Sequence, residues 1–553
     1  MRTRIILLIV LVAMTVSMPG VRAQQSPLVL AMQDEMKRSM SDLRMKDAPA
    51  PYYIAYEVQD RTVTDVSARL GALIENPPRH MRVLRVEVRV GDYTFDSSRF
   101  LSQGFGGGGS LNGETALVSL DDDYDAIRRD IWITTDEAYK RAVNTFARKR
   151  AAFQNRSASD PLPDFSKEAP VEVQLPAAAA GAGRDIASRV QEPSVALGAN
   201  PEIESSEVSI SQIHGTRYFL NSEGFRTVAP IQLVSLTMYA EAQAPDGMPV
   251  RETFSTVEVG LQDLPSAAEL VARARALSGR VAATKNAPIG EEFTGPVLLE
   301  GAGSSEFLAE TLLPLVAARR SPDSDNPRTA QGLAPATPFL SRTGLRVMAD
   351  SFSASDTPSL TQFNGKPVAG AYVVDDEGVR AKDVTLVDKG RLVTLLTSRT
   401  PQKNFPQSNG HGRTNGAWAG VFQLESAQAI ASAELKAKYL ALLKAQEKTF
   451  GYIVRDVRPA GGAAGAGPGI DQVVRVTLDG KEEPVRGLRF GTVPSTAFRD
   501  VSEASQERTL YNYRGGLTSA VSVIAPSLIF EELEIQRTRD ILQKPPIVPS
   551  PLR

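Results

Sequence analysis

The order of apolar and polar positions divides the chain into periodic segments before any single residue is considered. Between 24 and 50, Leu30, Met32, Met36, Met40 and Leu43 recur at helical spacing among charges, and Pro49 and Pro51 close the segment. Tyr52 to Val58 is rich in aromatic and β-branched residues and predicts a strand. Val83-Leu84-Arg85-Val86-Glu87-Val88-Arg89-Val90 alternates apolar and charged residues, the period-two pattern of a half-buried strand. The acidic run Asp121 to Asp125 precedes a long helical stretch with Ile127, Ile131, Ala138, Ala142 and Phe146. Acids there cap a helix and complement its dipole, with calcium as the rival reading. Strands are expected at Glu207–Ile210 and Arg217–Leu220, and Asn221-Ser222-Glu223-Gly224 reads as a turn. Ser266 and Glu269 form a capping box for a helix expected to end near Gly279.

From about 290 the pattern changes to short strands separated by Gly, Asp and Asn. The strands are expected at Pro296–Leu299, Ala371–Val374, Asp383–Val387 and Gln472–Val476, with one helix over Ala433–Lys448. Asp375–Gly378 and Asp388-Lys389-Gly390 carry hairpin-turn chemistry. The prediction is an α+β protein of two domains, an N-terminal α/β domain over 24–290 and a β-rich C-terminal domain over 291–553, with the boundary near 285–292. Gly104–Gly109, Pro176–Gly183 and Gly461–Gly469 read as loops. The first lacks the Lys-Ser/Thr of a phosphate-binding loop.

Composition then narrows the function classes. Arg2 and Arg4, the apolar Ile5–Val16 and the small residues around Val21-Arg22-Ala23 have the layout of a secretory signal, predicted to span 1–23. The apolar run falls short of the about 20 residues that a spanning helix needs, so cleavage is favoured over a retained anchor. The mature chain is expected in the periplasm, with no membrane span. There is no Cys, which excludes disulfides and thiolate ligands. A net charge of -2 gives no electrostatic case for nucleic acid. The three histidines, His80, His214 and His411, are far apart, so no HExxH pair exists, and no G-x-S-x-G elbow is present.

One segment carries a candidate for chemistry. Leu299 to Pro314 reads as a strand, a glycine turn and a helix, with Ser304 or Ser305 able to cap it, Glu306 in its first turn, and Leu308, Leu312 and Leu315 on one face. The segment resembles the metal-binding helix of the TldD/PmbA metallopeptidase family, where it carries H-E-x-x-x-H. Tyr372–Val379, Leu395–Pro401 (with Ser398-Arg399-Thr400-Pro401), Ser408–Arg413 and the C-terminal Ala525–Leu528 with Glu531–Glu534 are similar to further family runs, in the family's order. Asn221–Gly224 matches a first-domain turn.

The resemblance puts Ala309 at the first His, Glu310 at the catalytic Glu and Pro314 at the second His. A proline inside a helix would cost about 3 kcal/mol. The family's third ligand, a Cys, falls where this chain reads Asn512-Tyr513-Arg514-Gly515-Gly516. A peptidase zinc needs three protein ligands and an open water position. The resemblance therefore implies no metal ligands and no cofactor, with zinc only if substitute ligands exist. Glu310 is left as a vestigial catalytic position. Asn409, Gly410 and His411 are candidate substrate-binding residues, the rival reading for His411 being a surface turn. It also implies a heteromer in which this chain is the non-catalytic, TldE-like partner of a TldD-like subunit with an intact metal motif. The expected substrate is unstructured peptide, held by strand addition. The alternatives are an active metallopeptidase using substitute ligands and a free-standing periplasmic peptide-binding or scaffold protein.

Overall fold

The computed structural model describes residues 26–101, 113–154, 162–177, 186–326, 337–414, 416–459 and 467–538. The predicted signal 1–23 and the Gly104–Gly109 loop lie outside the described residues, as do 178–183 and 461–466 of the other two loops. Among the described residues no helix is long and apolar enough to cross a membrane.

The first sheet has eight strands: β1 (Pro51–Arg69), β2 (Ala72–Glu75), β3 (Arg79–Val90), β4 (Glu114–Leu117), β5 (Glu172–Gln174), β6 (Ser205–Asn221), β7 (Arg226–Gln243) and β8 (Pro249–Glu258). Their spatial order is β4-β3-β1-β6-β7-β5, with β2 on β1 and β8 on β7. Two expected strands at 207–210 and 217–220 are one strand, β6. It is continuous because β1 and β7 pair with it along nearly its whole length. Gly215 lies at its centre, where a Cβ would run into the Asp60 carbonyl of β1.

Helices α1 (Pro27–Asp42) and α2 (Tyr124–Phe153) cover one face of this sheet, burying Ile54, Tyr56, Val58, Leu84, Val86 and Val88. Asp123 caps α2, its carboxylate accepting the Ala126 N–H at 2.8 Å, which is the capping role expected of the acidic run. Helices α3 (Ile186–Gly198) and α4 (Ala267–Lys285) cover the far end of the same sheet, over Val208, Ile210, Leu236 and Met238. The Ser266–Glu269 capping box is present at the start of α4. The helix does not stop at Gly279. That glycine is solvent-exposed, and Leu277 and Val281 on either side keep the apolar stripe in the core, which outweighs the roughly 1 kcal/mol that an interior glycine costs.

The second sheet has eleven strands: β9 (Phe293–Leu299), β10 (Phe352–Asp356), β11 (Val384–Asp388), β12 (Arg391–Leu392), β13 (Val421–Ser426), β14 (Phe450–Arg458), β15 (Gly469–Thr477), β16 (Glu482–Pro484), β17 (Leu488–Phe490), β18 (Val501–Arg514) and β19 (Ala520–Arg537). β9, β14, β15, β17 and β19 close on themselves, since β9 pairs with both β14 and β19. β13, β10, β11 and β12 extend outward from β19. The β11–β12 hairpin turns at Lys389 and Gly390, both at positive φ. Helices α5 (Ala302–Thr311), α6 (Leu313–Val316) and α7 (Ser432–Ala445) complete this half. The protein is thus α+β with a β-rich C-terminal domain, as the pattern predicts.

Three local expectations are corrected. Ala371–Val374 is not a strand. Val374 makes only an isolated bridge to Arg380 around the Asp375–Gly378 turn, and Gly370 sends its N–H to the Ser522 hydroxyl instead of a ladder. Ser304 and Ser305 do not cap α5, which begins at Ala302 behind Gly301 at φ 60°. Ser304 donates to the Pro526 carbonyl at 2.7 Å and Ser305 to the Thr509 carbonyl at 3.1 Å, so both pin the helix to β18 and β19, and Glu306 falls in the second turn. Pro314 is not interior to a helix either. The helix breaks at Leu312 and restarts with Pro314 in the first turn of α6, where its missing N–H has no helical partner to lose.

Candidate functional site

Four of the runs that carry the family resemblance, Asn221–Gly224, Tyr372–Val379, Leu395–Pro401 and Ser408–Arg413, meet in a knot between the two sheets. Asp375, fully buried, accepts the N–H groups of Glu377 and Val379 at 3.0 and 2.8 Å through Oδ1, and that of Gly412 at 2.8 Å through Oδ2. The Asp376 N–H returns to the Gly412 carbonyl at 2.9 Å. Tyr372 donates its hydroxyl to the Gly410 carbonyl at 2.8 Å. Both glycines are required sterically. Gly410 has φ +79°, and a Cβ there would collide with the Arg380 carbonyl; at Gly412 it would collide with the Glu377 carboxylate. Gly410→Ala is therefore expected to lower stability by about 2 kcal/mol, read as a drop in melting temperature; an unchanged melt would show that this packing is dispensable.

His411 is buried, not in a surface turn. Its Nδ1 faces the Asn409 side-chain oxygen at 2.9 Å, and its Nε2 faces Asp356 Oδ1 at 3.2 Å. Asp356 also accepts the N–H groups of Gly420 and Val421. Asn409 in turn accepts the Thr397 N–H at 2.8 Å and donates to the Leu395 carbonyl at 2.9 Å. The three candidate substrate-binding residues, Asn409, Gly410 and His411, thus share one inward network, and peptide contact through the His411 ring would require that network to open.

Arg399 ties this knot to the first sheet. It is fully buried, and its Nη1 and Nη2 reach both oxygens of Glu223 at 2.6 and 2.9 Å. Its Nε and Nη2 donate to the Ser166 carbonyl at 3.1 and 2.6 Å. Its backbone N–H donates to Glu377 at 2.6 Å. Phe165 is held between two guanidinium groups, Arg399 at 3.8 Å and Arg89 at 3.7 Å from the ring centre. The Asn221–Gly224 turn and the Ser398–Pro401 run, quoted separately from sequence, are partners in space.

Glu310 lies half-buried near the end of α5. Its charge acts on Tyr511 and Tyr513, which stack with ring centres 5.4 Å apart; burial above all pushes both hydroxyls above the ordinary tyrosine range, and the Glu310 charge adds to it. Arg319 lies over the Trp418 ring at 4.1 Å and donates from Nε to the Ala417 carbonyl at 3.1 Å. The positions that the resemblance assigns to zinc do not fit a zinc site. Ala309 is packed in the core with no donor atom, and Pro314 opens α6. Asn512 holds Ser522 at 2.6 Å through its side-chain oxygen. Among the described residues no group of three or more His, Cys, Asp or Glu side chains is placed to hold a metal ion.

Next to the knot, a cleft of about 370 Å³ opens between the uncovered face of the first sheet and the C-terminal domain. Its floor carries Glu57, Arg61, Arg85 and Arg217, and its roof carries Tyr372 and Arg413. Glu57 is shared by Arg85 and Arg217, each at 3.1 Å. Burial opposes its charge, but the two guanidinium groups prevail and hold its carboxyl down to about 2. Sequence reasoning placed most of these residues on strands, turns or family-like runs without giving them a role, and it did not pair Arg399 with Glu223. The available signal was the alternation Arg85-Val86-Glu87-Val88-Arg89, which marks a charged face without saying what covers it.

Residues 294–537 match the family described as PmbA/TldA metallopeptidase C-terminal domain. No curated protein matches the chain in sequence. Several solved structures share the fold at low identity. A candidate modulator of a DNA gyrase from Thermotoga maritima MSB8 superposes with TM-score 0.60 at 13% identity, over 91% of this chain and 100% of that one. TldE from Thermococcus kodakarensis gives 0.57 at 13%, over 91% and 99%. A candidate modulator of DNA gyrase from Bacteroides thetaiotaomicron VPI-5482 gives 0.59 at 14%, over 92% and 98%. Residues 294–537 therefore form a domain of that metallopeptidase-like family, and the chain as a whole shares the fold of TldE.

Proposed function

We propose that this chain is a non-catalytic, TldE-like member of its family, working in the periplasm as the partner of a relative that carries an intact H-E-x-x-x-H motif, in the breakdown of unstructured peptides. The donor set around Glu310 carries the reading. A zinc peptidase activates water on an ion held by three side chains. Here the corresponding positions offer a methyl group, a pyrrolidine ring and a stretch without Cys, so Glu310 has no metal-bound water to deprotonate. What the chain retains is the buried scaffold around Asp375, His411 and Arg399 and a cleft beside it, which suits a subunit that shapes a peptide-admitting cavity. The signal-like N-terminus supports export.

The test is to tag the chain in its native host and to measure what co-purifies, together with zinc content and chelator-sensitive casein cleavage. The expected result is a family relative with the intact motif in the eluate, and neither stoichiometric zinc nor cleavage from this chain alone. Stoichiometric zinc with chelator-sensitive cleavage by the isolated chain would make it a hydrolase with substitute ligands. Peptide binding with no relative recovered would make it a free-standing binder.

A further inference from the structure

Among the described residues, three of the four arginines in the cleft have a carboxylate partner, and one does not. Arg85 and Arg217 share Glu57, and Arg413 faces Asp376 at 3.6 Å. Arg61 is 6% exposed and lines the same cavity. Among the described residues, its Nη1 donates to the neutral Gln59 side chain, its Nη2 reaches only the Met81 sulfur at 3.9 Å, and its Nε has no hydrogen-bond partner. Glu57 is the acid that acts on it, and that carboxylate already serves two other guanidinium groups. An unmatched buried charge is costly, so a chain that keeps one beside a cavity keeps it poised for a counter-charge.

Arg61, though buried, lines the cavity opposite a position that carries no side chain. Arg61 on β1 sits directly across from Gly215 on β6, and directly opposed residues share a face. Gly215 contributes no side chain there. The cavity falls within the roughly 300–1,000 Å³ range of small-ligand sites.

We propose that this cleft binds a carboxylate of an extended peptide, with the guanidinium of Arg61 as the group that receives it. This deepens the peptide-handling reading above and rests on it for the carrier of the carboxylate alone. A planar monoanion suits the site. The side of a guanidinium presents two parallel donors matched to two carboxylate oxygens. Glu57 and Asp376 on the same walls repel a phosphate dianion more strongly than a single negative charge. The carboxylate can come from a peptide C-terminus or from an Asp or Glu side chain, and the test separates the two.

The experiment measures fluorescence anisotropy of three labelled Ala/Ser heptapeptides with the whole mature chain. One has a free C-terminus, one is amidated with a single Glu, and one is amidated without acid. The expected result is that one or both carboxylate peptides bind roughly tenfold or more tightly than the neutral amide, the margin of a charge-assisted bond, and the tighter of the two names the source. Arg61→Gln is expected to erase that preference while the melting temperature stays level or rises, because an unmatched charge has left the interior. Arg61→Lys, which keeps the charge without the fork, is expected to fall between. A measurement that needs no variant is the thermal shift of the wild-type chain by glutarate against glutaramide, where only the acid is expected to stabilise. Equal binding of the three peptides, no binding of any, an unchanged preference in Arg61→Gln, or stronger displacement by inorganic phosphate than by glutarate would each overturn the proposal. Those outcomes are read on the isolated chain, so they leave the partnership, which is decided by co-purification, standing or falling separately.

Discussion

Arg399→Ala is expected to lower the stability of the chain by about 3–5 kcal/mol, the range for removing one partner of a buried ion pair. The substitution leaves Glu223 buried at 9% exposure, still accepting the Tyr93 hydroxyl at 2.6 Å but without either guanidinium bond. It also strips two donors from the Ser166 carbonyl and one face of the Phe165 stack. Because the pair joins a turn of the first sheet to a loop of the second, the loss is expected to loosen the junction as well as lower the melting temperature. Protease cleavage should therefore begin around 162–168 and 398–408 at temperatures where the wild type resists. Replacing both partners, Arg399→Leu with Glu223→Leu, is expected to recover part of the loss, since no buried charge is then left alone. A single-variant loss below about 1 kcal/mol would mean that the pair does not hold the junction.

The second large effect runs with pH. Asp456, Glu306, Asp471 and Glu252 approach one another where α5, β14, β15 and β8 meet, with Arg280, Arg251 and Arg458 as the facing cations. β14 is irregular at Asp456, its register shifting on both sides of that residue. Burial first, and then the charge of Glu306, push the Asp456 carboxyl up to about 9; burial raises Glu306 and Glu252 to about 7, even though Arg280 contacts Glu252 at 2.8 Å. For such groups the folded chain holds protons that the unfolded chain has released. Their stabilising contribution is present below the unfolded carboxylate value near 4 and is lost as pH rises through the folded value. Each pH unit over which the fold keeps one extra proton removes about 1.4 kcal/mol. Stability is therefore expected to fall between pH 5 and pH 8 by about 4 kcal/mol from Asp456 alone, with Glu306 and Glu252 adding to the loss. Asp456→Asn should be more stable than the wild type at pH 8 and should flatten the slope. A melting temperature that rises over that interval, or a slope untouched by Asp456→Asn, would rule this out.

Much of the local structure was legible because it is decided by neighbours in sequence. Asp123 and Ser266 cap helices because their oxygens reach N–H groups three residues on, a relation that any reader of the chain can see. The Asn221–Gly224 turn follows from an Asn side chain that accepts the Glu223 and Phe225 N–H groups and from a glycine at φ +95°. The misses share a cause. Gly279 and Pro314 look like helix breaks of one kind, yet α4 runs through the first and the chain restarts at the second, according to which side chains lie in the core. Ser304 and Ser305 look like caps, but β18 and β19 supply carbonyls that no local pattern announces.

The sequence by itself determined which positions along each element are apolar, where turns fall, and that Ala309, Pro314 and residues 512–516 offer no His or Cys. Those are properties of residue type and short spacing. Only the tertiary structure decided what the charged faces meet. The alternation over Val83–Val90 states that Arg85, Glu87 and Arg89 point away from the core under α1 and α2. It cannot state that this side is roofed by a second domain, leaving Arg89 at 3% exposure and Arg61 without a counter-charge. Electrostatic partners are chosen by proximity in space, and Arg399 and Glu223, 176 residues apart, become neighbours once both sheets have formed.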